Sequence, residues 1–391
     1  MPGGRGAGHA AGAGRCRPGG AFAVITNTTE RNFDVIEITN EMPHNRMGGV
    51  GSVIESLASG FAAIGVRALW YVTDHEYQPY EVEAILGSHP CVAVGSEAEL
   101  AHFHAPVVHI HSYNHRPGLL DATGGARSVF TIHSLLAYEE ISNAVNLHGA
   151  VMDQERLIAA CDEVVLVSEA ERRYYHTLGY QRLNPRVSVV ANGIVPPAPV
   201  LARPRRNVLG YCGRLVPRKH PEYVQMLLTE PAFDGFEAMI AGKAFSAYAR
   251  DLVHDLGIEA RVRYLGWCGG ARLEAFFNAI DVLVQPSTYE PFGLAALEGA
   301  ARGIPVVCTP VDGLVEVLGE HAIYCDDTSY GAFCLAMERW RKMDADALQA
   351  MGSAARARAL QQFTDVAMAR RYLERFRALS GLSLETKEHT P

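Results

Sequence analysis

The feature that most constrains the fold is an alternation of strands and helices that occurs twice along the chain. In the first half, short runs rich in β-branched residues are separated by helical patterns at 51–64 and 154–160. Such an alternation is typical of a parallel sheet with helices on both faces. The runs predicted to be strands are 35–39, 68–73, 107–111, 128–132, 163–168 and 187–191.

The same alternation begins again after residues 196–206, which are rich in proline and arginine and are typical of a linker. We therefore predict an α/β fold of two doubly wound domains, at 33–200 and 201–364, that face each other across a ligand-binding cleft. A final helix at 365–380 carries an apolar stripe and is expected to cross back to the first domain. The predicted strands of the second domain are 207–214, 236–242, 261–266, 281–287, 304–309 and 321–325.

The composition excludes several classes of protein. The chain has 391 residues and a net charge of −8, which argues against a general nucleic-acid binder, since such proteins are usually basic. No apolar run reaches the length of a membrane span. Eight cysteines without a CxxC pair are typical of reduced thiols in a cytoplasmic protein. Residues 1–32 are expected to form a disordered or irregular extension, and 381–391 a loose tail.

The segment 289–298 (YEPFGLAALE) places two carboxylates around a predicted helix N-terminus. The helix is expected over 293–302, because Gly303 is a natural stop. Free N–H groups and the helix dipole at its start favour an anion. Glu290 and Glu298 can accept hydrogen bonds from sugar hydroxyls, so the segment predicts a sugar-phosphate site. The alternative is a solvated helix start, where the glutamates only complement the dipole.

Arg214 and Lys219 are candidates for binding a diphosphate. They follow an apolar strand and a glycine, and only four of the 35 basic residues of the chain are lysines. A diphosphate leaving group needs positive charge as its bond breaks, which a forked guanidinium and an ammonium can supply. The alternative is an ordinary basic loop, since Arg218 and His220 lie in the same segment.

Three other features are less specific on their own. The loop 48–51 (GGVG) can approach a ligand closely, although glycine at a strand-to-helix turn is often only turn chemistry. His133 ends a predicted strand, where a lone histidine is more often structural. His109 and His111 share one face of a strand, so a metal site is an alternative to a place on the acceptor side.

Together these motifs resemble the GT-B-fold retaining glycosyltransferases of family four, also called group 1, over about residues 35–380. Where the family often has glycine after the lysine, this chain has His220-Pro221, so the next helix is expected to begin differently. The matching segments are Glu290…Glu298 (E-x7-E), Gly213-Arg214 with Lys219, Gly48–Gly51, Thr131–His133, Val167–Glu169 and Asn192–Ile194.

The resemblance implies two Rossmann-like domains and a role for each motif. It implies that Glu290 contacts the donor sugar and Glu298 the ribose, and that neither a protein-bound metal nor a cofactor is needed. Trp267 is placed near the nucleobase, with a half-buried core residue as the alternative. Gly313, Leu314 and Glu316 resemble the short helix after the last donor loop. The implied catalytic residues are His133, Arg214, Lys219 and Glu290; the implied donor-binding residues are Gly49, Arg214, Lys219, Trp267, Glu290, Phe292, Gly293, Leu294 and Glu298.

The implied activity is retaining transfer of a hexosyl-type sugar from a nucleotide-diphosphate sugar to an acceptor. The polar and aromatic loops of the first domain, without a basic amphipathic helix, favour a soluble small molecule or saccharide, such as a natural-product intermediate, as the acceptor. No nucleic-acid partner and no membrane span are expected. Two alternatives remain at this point, a GT-B-type nucleotide-sugar epimerase and a non-catalytic nucleotide-sugar-binding module.

Overall fold

A computed structural model describes residues 24–42, 49–73, 77, 79–112, 118–201, 204–243 and 259–381. The predicted disorder of the first twenty residues and the tail beyond 381 lie outside these ranges. Gly48, the first glycine of the GGVG loop, also lies outside them. No helix in these ranges is both long and apolar enough to cross a membrane.

The first domain is built on an eight-stranded sheet in the order β1-β4-β3-β2-β5-β6-β7-β8. Its neighbouring strands are parallel except for the antiparallel pair β1–β4. The central strands are buried on both faces, as expected for a parallel sheet between helices. The strands are β1 (Ile25–Thr26), β2 (Val35–Thr39), β3 (Ala68–Thr73), β4 (Val92–Gly95), β5 (Val107–Ile110), β6 (Arg127–Ile132), β7 (Glu163–Leu166) and β8 (Val187–Val189).

Two strands of this sheet were not predicted. β4 is only four residues long, and β1 is a two-residue edge strand that pairs with it. Because β1 lies inside residues 1–32, the prediction that this segment is irregular is wrong at Ile25–Thr26.

The second domain contains a six-stranded, fully parallel sheet in the order β11-β10-β9-β12-β13-β14. Each of its strands lies within a predicted run. The prediction of an α/β fold with two parallel sheets is therefore confirmed. The strands are β9 (Val208–Cys212), β10 (Glu237–Ala241), β11 (Val262–Gly266), β12 (Val282–Gln285), β13 (Val306–Cys308) and β14 (Ile323–Tyr324).

Twelve helices occur in the described residues and cover the two sheets. They are α1 (Val50–Ile64), α2 (Pro79–Leu86), α3 (Leu136–Asn143), α4 (His148–Ala160), α5 (Glu169–Thr177), α6 (Pro221–Leu227), α7 (Ala271–Ala279), α8 (Leu294–Ala301), α9 (Asp312–Leu318), α10 (Tyr330–Lys342), α11 (Ala345–Gln362) and α12 (Asp365–Ser380).

The last helix, α12, returns to the first domain, as predicted. It begins at the cap Thr364, whose side chain accepts a hydrogen bond from the Ala367 backbone N–H. Its buried Tyr372 and Phe376 belong to the same hydrophobic cluster as Phe61 of α1. The core on this face of the first sheet is therefore completed by residues that follow the whole second domain in sequence.

The contact between α1 and α12 depends on Gly60. A Cβ at this position would lie 2.3 Å from the Asp365 carbonyl oxygen and 2.8 Å from the Ala369 Cβ. We expect Gly60→Ala to lower the free energy of unfolding by about 1–3 kcal/mol, the usual cost of overpacking, despite the better helix propensity of alanine. The measurement is urea denaturation. The control is Gly149→Ala in α4, where a Cβ meets nothing within 4 Å; equal effects of the two changes would contradict this account.

Candidate active site

The candidate site lies where strand ends from the two sheets meet. His133 follows β6 of the first sheet, while Arg214 follows β9 and Glu290 follows β12 of the second. The carboxyl ends of parallel strands share one edge of a sheet, which is where ligands bind in such folds. The two edges are in contact, since the Tyr289 hydroxyl lies 3.4 Å from Ser134 Oγ. The structure thus brings these predicted residues into one region between the domains.

Lys219 and Glu290 form an ion pair in this region. The ammonium Nζ of Lys219 donates to Oε2 of Glu290 at 2.6 Å. Lys219 ends the short 3-10 turn Pro217–Lys219, and its side chain runs over Gly213, where a Cβ would lie 3.4 Å from Lys219 Cδ. The turn and the glycine together direct the ammonium toward the carboxylate.

Arg218 also belongs to this cluster, although no sequence motif marks it as a site residue. In the sequence Arg218 favours only an ordinary basic loop, yet its side chain is 2% exposed. It donates to the Tyr289 carbonyl at 2.6 Å and to Glu139 Oε1 at 2.9 Å, and it lies 3.9 Å from Glu290 Oε2. No sequence signal separates Arg218 from Arg214, because its burial depends on contacts with the other domain.

Glu139, on α3 of the first domain, also had no sequence signal. Its Oε1 accepts from Arg218 and, at 2.8 Å, from Arg214, which belong to the second domain. Ser134 Oγ donates to the same oxygen at 2.9 Å. Arg214, which is predicted to bind the diphosphate, is therefore paired with a carboxylate of the opposite domain in this structure.

Burial and neighbouring charges shift the pKa values of Glu139, Glu290 and Lys219 in opposite directions. Burial would raise the pKa of Glu139, but Arg218 and Arg214 outweigh it and hold the pKa at about 2. Burial would also raise the pKa of Glu290, yet Lys219 and Arg218 lower it below 4.5. Both carboxyls are therefore ionised at neutral pH. Burial lowers the pKa of Lys219, an effect that Glu290 partly opposes.

Two helix N-termini approach each other beside this cluster. α8 begins after Gly293, whose φ of +94° lies in the left-handed region that favours glycine. α1 begins after Gly49, where a Cβ would lie 3.0 Å from Leu294 Cδ1 of the opposite domain. The start of α8 thus lies beside Gly49 and is suited to an anion, whereas the Gly51 N–H of α1 already donates to Glu41 Oε2 at 3.3 Å.

Three predicted donor-binding residues have other contacts in this structure. The side chain of Phe292 is buried against Phe363, with ring centroids 5.8 Å apart, so only its backbone can meet a ligand. Glu298 forms an ion pair with Arg302 of the same helix region. Trp267 is 38% exposed and packs over Gly269, where a Cβ would lie 2.3 Å from its ring. These contacts do not test the predicted roles, which stay predictions.

Two of the matching motifs lie in contacts between the domains. Ser168 Oγ donates to the Pro291 carbonyl at 2.7 Å. The carboxylate of Glu316 accepts hydrogen bonds from the backbone N–H groups of Glu169 and Ala170, at the start of α5. Gly193 meets the chain that returns to α12, since a Cβ there would lie 2.2 Å from the Thr364 carbonyl. These motifs therefore also have structural roles.

His133 joins a buried cluster behind the cleft. Its Nε2 lies 3.1 Å from His111 Nδ1. Glu37 Oε2 lies 2.6 Å from His111 Nε2 and 2.8 Å from His109 Nδ1. Because Glu37 is on β2, the histidines 109 and 111 on or after β5, and His133 after β6, the cluster spans three adjacent strands.

Glu37, His109 and His111 could in principle hold a metal ion. Each offers one ligand atom, and these atoms lie within 4.8 Å of one another. Ligand atoms around a tetrahedral zinc ion, at about 2.0–2.2 Å from it, are more than about 3 Å apart. The two contacts of Glu37 Oε2 are shorter than that, so the side chains would have to separate to admit an ion. The prediction of no bound metal stays a prediction.

The contact of Glu171 with Tyr289 of the other domain predicts a pH dependence. Burial raises the pKa of Glu171 to about 8, although hydrogen bonds from the Tyr289 hydroxyl and the Leu135 N–H favour its ionised form. An acid with a raised pKa binds its proton more tightly in the folded state. The free energy of unfolding therefore falls as pH rises from about 4.5 to about 8, by at most about 1.4 kcal/mol per pH unit.

We expect Glu171→Gln to remove this loss of stability at high pH, because glutamine has no proton to release in this range. The Tm of the variant minus that of the wild type should be larger at about pH 9 than at about pH 5, measured by thermal denaturation. Glu169→Gln, an exposed change at the start of the same helix, is the control. A difference for Glu171→Gln that does not grow with pH would rule out the assigned proton.

Most of the chain matches known protein families. Residues 47–196 match the family model described as Glycosyltransferase Family 4, and residues 197–358 match the model described as Glycosyl transferases group 1. The D-inositol 3-phosphate glycosyltransferase of Kineococcus radiotolerans is 30% identical over 251 residues, which are 56% of this chain and 57% of that protein. An uncharacterized glycosyltransferase of Methanocaldococcus jannaschii is 37% identical over 110 residues, 28% of each chain. The chain thus matches little more than half the length of these relatives at most.

Solved structures share the fold. Sucrose-phosphate synthase from Thermosynechococcus elongatus superposes with a TM-score of 0.72 at 19% identity, covering 90% of this chain and all of that one. Anabaena HepE, solved with UDP and glucose, gives a TM-score of 0.67 at 19% identity and covers 89% of this chain and all of that one.

Proposed function

Because the chain belongs to the group 1 and family 4 glycosyltransferases, we propose that it transfers a sugar from a nucleotide-diphosphate sugar to an acceptor hydroxyl. The observation that carries this proposal is the cluster of Arg214, Arg218 and Lys219 around the carboxylates of Glu139 and Glu290, beside the N-terminus of α8. Arg214, Lys219 and the start of a helix suit a diphosphate, and a carboxylate suits sugar hydroxyls.

Each residue has one role in the proposed reaction. Arg214, Lys219 and the N–H groups near Gly293 stabilise the diphosphate as it leaves, and Glu290 orients the sugar. His133 binds a substrate hydroxyl. Transfer takes place on one face of the sugar: the bond from C1 to the phosphate oxygen breaks, the bond from C1 to the acceptor oxygen forms, and the leaving phosphate takes the acceptor proton. The enzyme contributes position and charge.

This same-face course, which retains the configuration at C1, is supported by the state of the buried carboxylates. Double displacement needs a carboxylate free to attack the sugar. Glu139 is held by Arg214 and Arg218, and Glu290 by Lys219.

We further propose that no metal or other cofactor takes part and that the enzyme acts in the cytoplasm, where the seven described cysteines remain free thiols.

The proposed substrates are a hexose nucleotide and a soluble small molecule or saccharide. HepE was solved with UDP and with UDP-glucose, and several relatives are named for D-inositol 3-phosphate. These names support a small polar acceptor. A natural-product intermediate is one such small molecule.

The first test is a thermal-shift series with UDP, GDP and ADP, because a bound nucleotide raises Tm by mass action. The matching nucleotide sugars are then incubated with a panel of polyol and saccharide acceptors in the presence of EDTA. We expect one nucleotide to raise Tm, and a product whose anomeric configuration equals that of the donor.

Other outcomes identify the alternatives. A changed sugar nucleotide formed without acceptor identifies an epimerase. Nucleotide binding without turnover on any acceptor points to a binding module. An inverted product, or loss of transfer in EDTA, would overturn the proposed mechanism while leaving the transferase assignment in place.

A further inference from the structure

A hydrogen-bonded chain leads from the interior of the first sheet to the cleft. Glu37 Oε2 contacts His111 Nε2 at 2.6 Å, and His111 Nδ1 contacts His133 Nε2 at 3.1 Å. The imidazole rings of His111 and His133 are stacked, with centroids 5.3 Å apart and an interplanar angle of 19°. Both His111 nitrogens are therefore engaged, one by a carboxylate and one by a second histidine.

His133 is the member of this chain that reaches the cleft. Glu37 is fully buried and His111 is 4% exposed, whereas His133 is partly exposed. The next residue, Ser134, donates to Glu139 Oε1, which also binds Arg214 and Arg218. His133 thus lies beside the cation cluster assigned to the diphosphate.

The protons on this chain follow from the chemistry of its first member. Burial would raise the pKa of Glu37, but its contacts with His109 and His111 outweigh burial and lower it from 4.5. An ionised carboxylate can only accept, so His111 Nε2 must donate to it. Burial lowers the pKa of His111 to about 4, so this ring is neutral at neutral pH and its Nδ1 is an acceptor.

The tautomer of His133 follows from that of His111. Since His111 Nδ1 accepts, His133 Nε2 must carry the proton. Burial lowers the pKa of His133 well below 6.5, so its ring is neutral and its Nδ1 carries none. In the described part of the chain, no hydrogen bond to this Nδ1 is present.

We propose that Glu37 and His111 are positioning residues, which hold His133 in the tautomer protonated on Nε2 and so keep its Nδ1 as an acceptor for a substrate hydroxyl. This inference deepens the proposed function and rests on it for the identity of the ligand. The role differs from a structural one, because it specifies which ring nitrogen bears hydrogen. The fixing of a histidine tautomer by a carboxylate is an established way to orient an imidazole.

A second arm of the cluster provides a matched control. His109 Nε2 lies 2.7 Å from Thr131 Oγ1, which lies 3.0 Å from the Tyr372 hydroxyl on α12. This arm is equally buried and also meets Glu37 through His109, but it does not include His133. Tyr372→Phe therefore removes one buried hydrogen bond from the same cluster without touching the chain to His133.

The first experiment reads the tautomer directly and needs no substrate. The protein is labelled with nitrogen-15 histidine, and the His133 signals are assigned by their loss in His133→Gln. Protonated and unprotonated ring nitrogens differ in chemical shift. We expect a protonated Nε2 and an unprotonated Nδ1 in the wild type and in Tyr372→Phe, and a mixture of tautomers in His111→Phe and Glu37→Gln.

The second experiment measures turnover with the donor and acceptor found in the screen. For His111→Phe and Glu37→Gln we expect kcat to fall about tenfold, the equivalent of one lost hydrogen bond, with little change in the KM of the donor. Tyr372→Phe should keep kcat close to that of the wild type. Tm measurements verify that each variant is folded.

Two results would overturn the inference. One is a wild-type His133 protonated on Nδ1, and the other is an unchanged tautomer in both His111→Phe and Glu37→Gln. Either can be obtained even if no transfer is found, so failure of this inference is distinguishable from failure of the proposed function.

Discussion

Replacing Lys219 by methionine is expected to lower kcat by about 100- to 1,000-fold, the usual effect of removing one preorganised group that stabilises a developing charge. Methionine keeps an unbranched, apolar side chain of four heavy atoms and lacks the ammonium. Glu290 would still lie 3.9 Å from Arg218 Nη1, so the carboxylate keeps a cation and the fold should persist. The measurement is steady-state turnover, with circular dichroism to verify folding.

The control for this change is Lys342→Met on α10. Lys342 also pairs with a glutamate, at 2.9 Å from Glu338, but its side chain is 66% exposed and lies in an exposed ion pair. It should leave kcat unchanged. Near-normal turnover of a folded Lys219→Met would falsify the role assigned to the ammonium.

The second large effect is expected on stability rather than on rate. Arg218→Met removes a buried guanidinium that serves Glu139, Glu290 and the Tyr289 carbonyl. Glu139 then keeps only the partly exposed Arg214 as a cation, and the Tyr289 carbonyl loses its donor, so we expect the free energy of unfolding to fall by about 3 kcal/mol in urea denaturation.

A double mutant distinguishes the effect of losing the Arg218–Glu139 ion pair from the effect of changed packing around residue 218. If the weaker compensation of the Glu139 charge, now by Arg214 alone, causes the loss, adding Glu139→Gln to Arg218→Met should recover about 1 kcal/mol. The exposed pair of Arg172 and Glu169 is the comparison, and Arg172→Met should cost less than about 1 kcal/mol. A double mutant less stable than Arg218→Met alone would contradict this explanation.

Much of the fold could be predicted because its strands are continuous apolar runs. Val35–Thr39 and Val282–Gln285 are buried along their whole length, as central parallel strands must be. The strand Val92–Gly95 was missed because four residues carry little periodic signal. Its partner Ile25–Thr26 owes its conformation to pairing at the sheet edge, and not to local preference.

The candidate site, too, could be predicted from the sequence only in part. Lys219 and Glu290 could be proposed because each lies in a short motif that follows a strand of the second sheet. Arg218 and Glu139 could not, since they are 79 residues apart in sequence and meet only when the two domains pack together. The local sequence shows which charged residues each loop contains. It does not show which of them is buried, because burial depends on the residues of the other domain that pack against the loop.

The return of α12 to the first domain has a consequence for synthesis of the chain. A ribosome makes the whole second sheet, through Tyr324, before it makes Asp365–Ser380. When the second domain can already fold, the core of the first domain still lacks Tyr372 and Phe376. The half of the protein that is made first is therefore expected to reach its stable form last, which reverses the usual order of domain folding during translation.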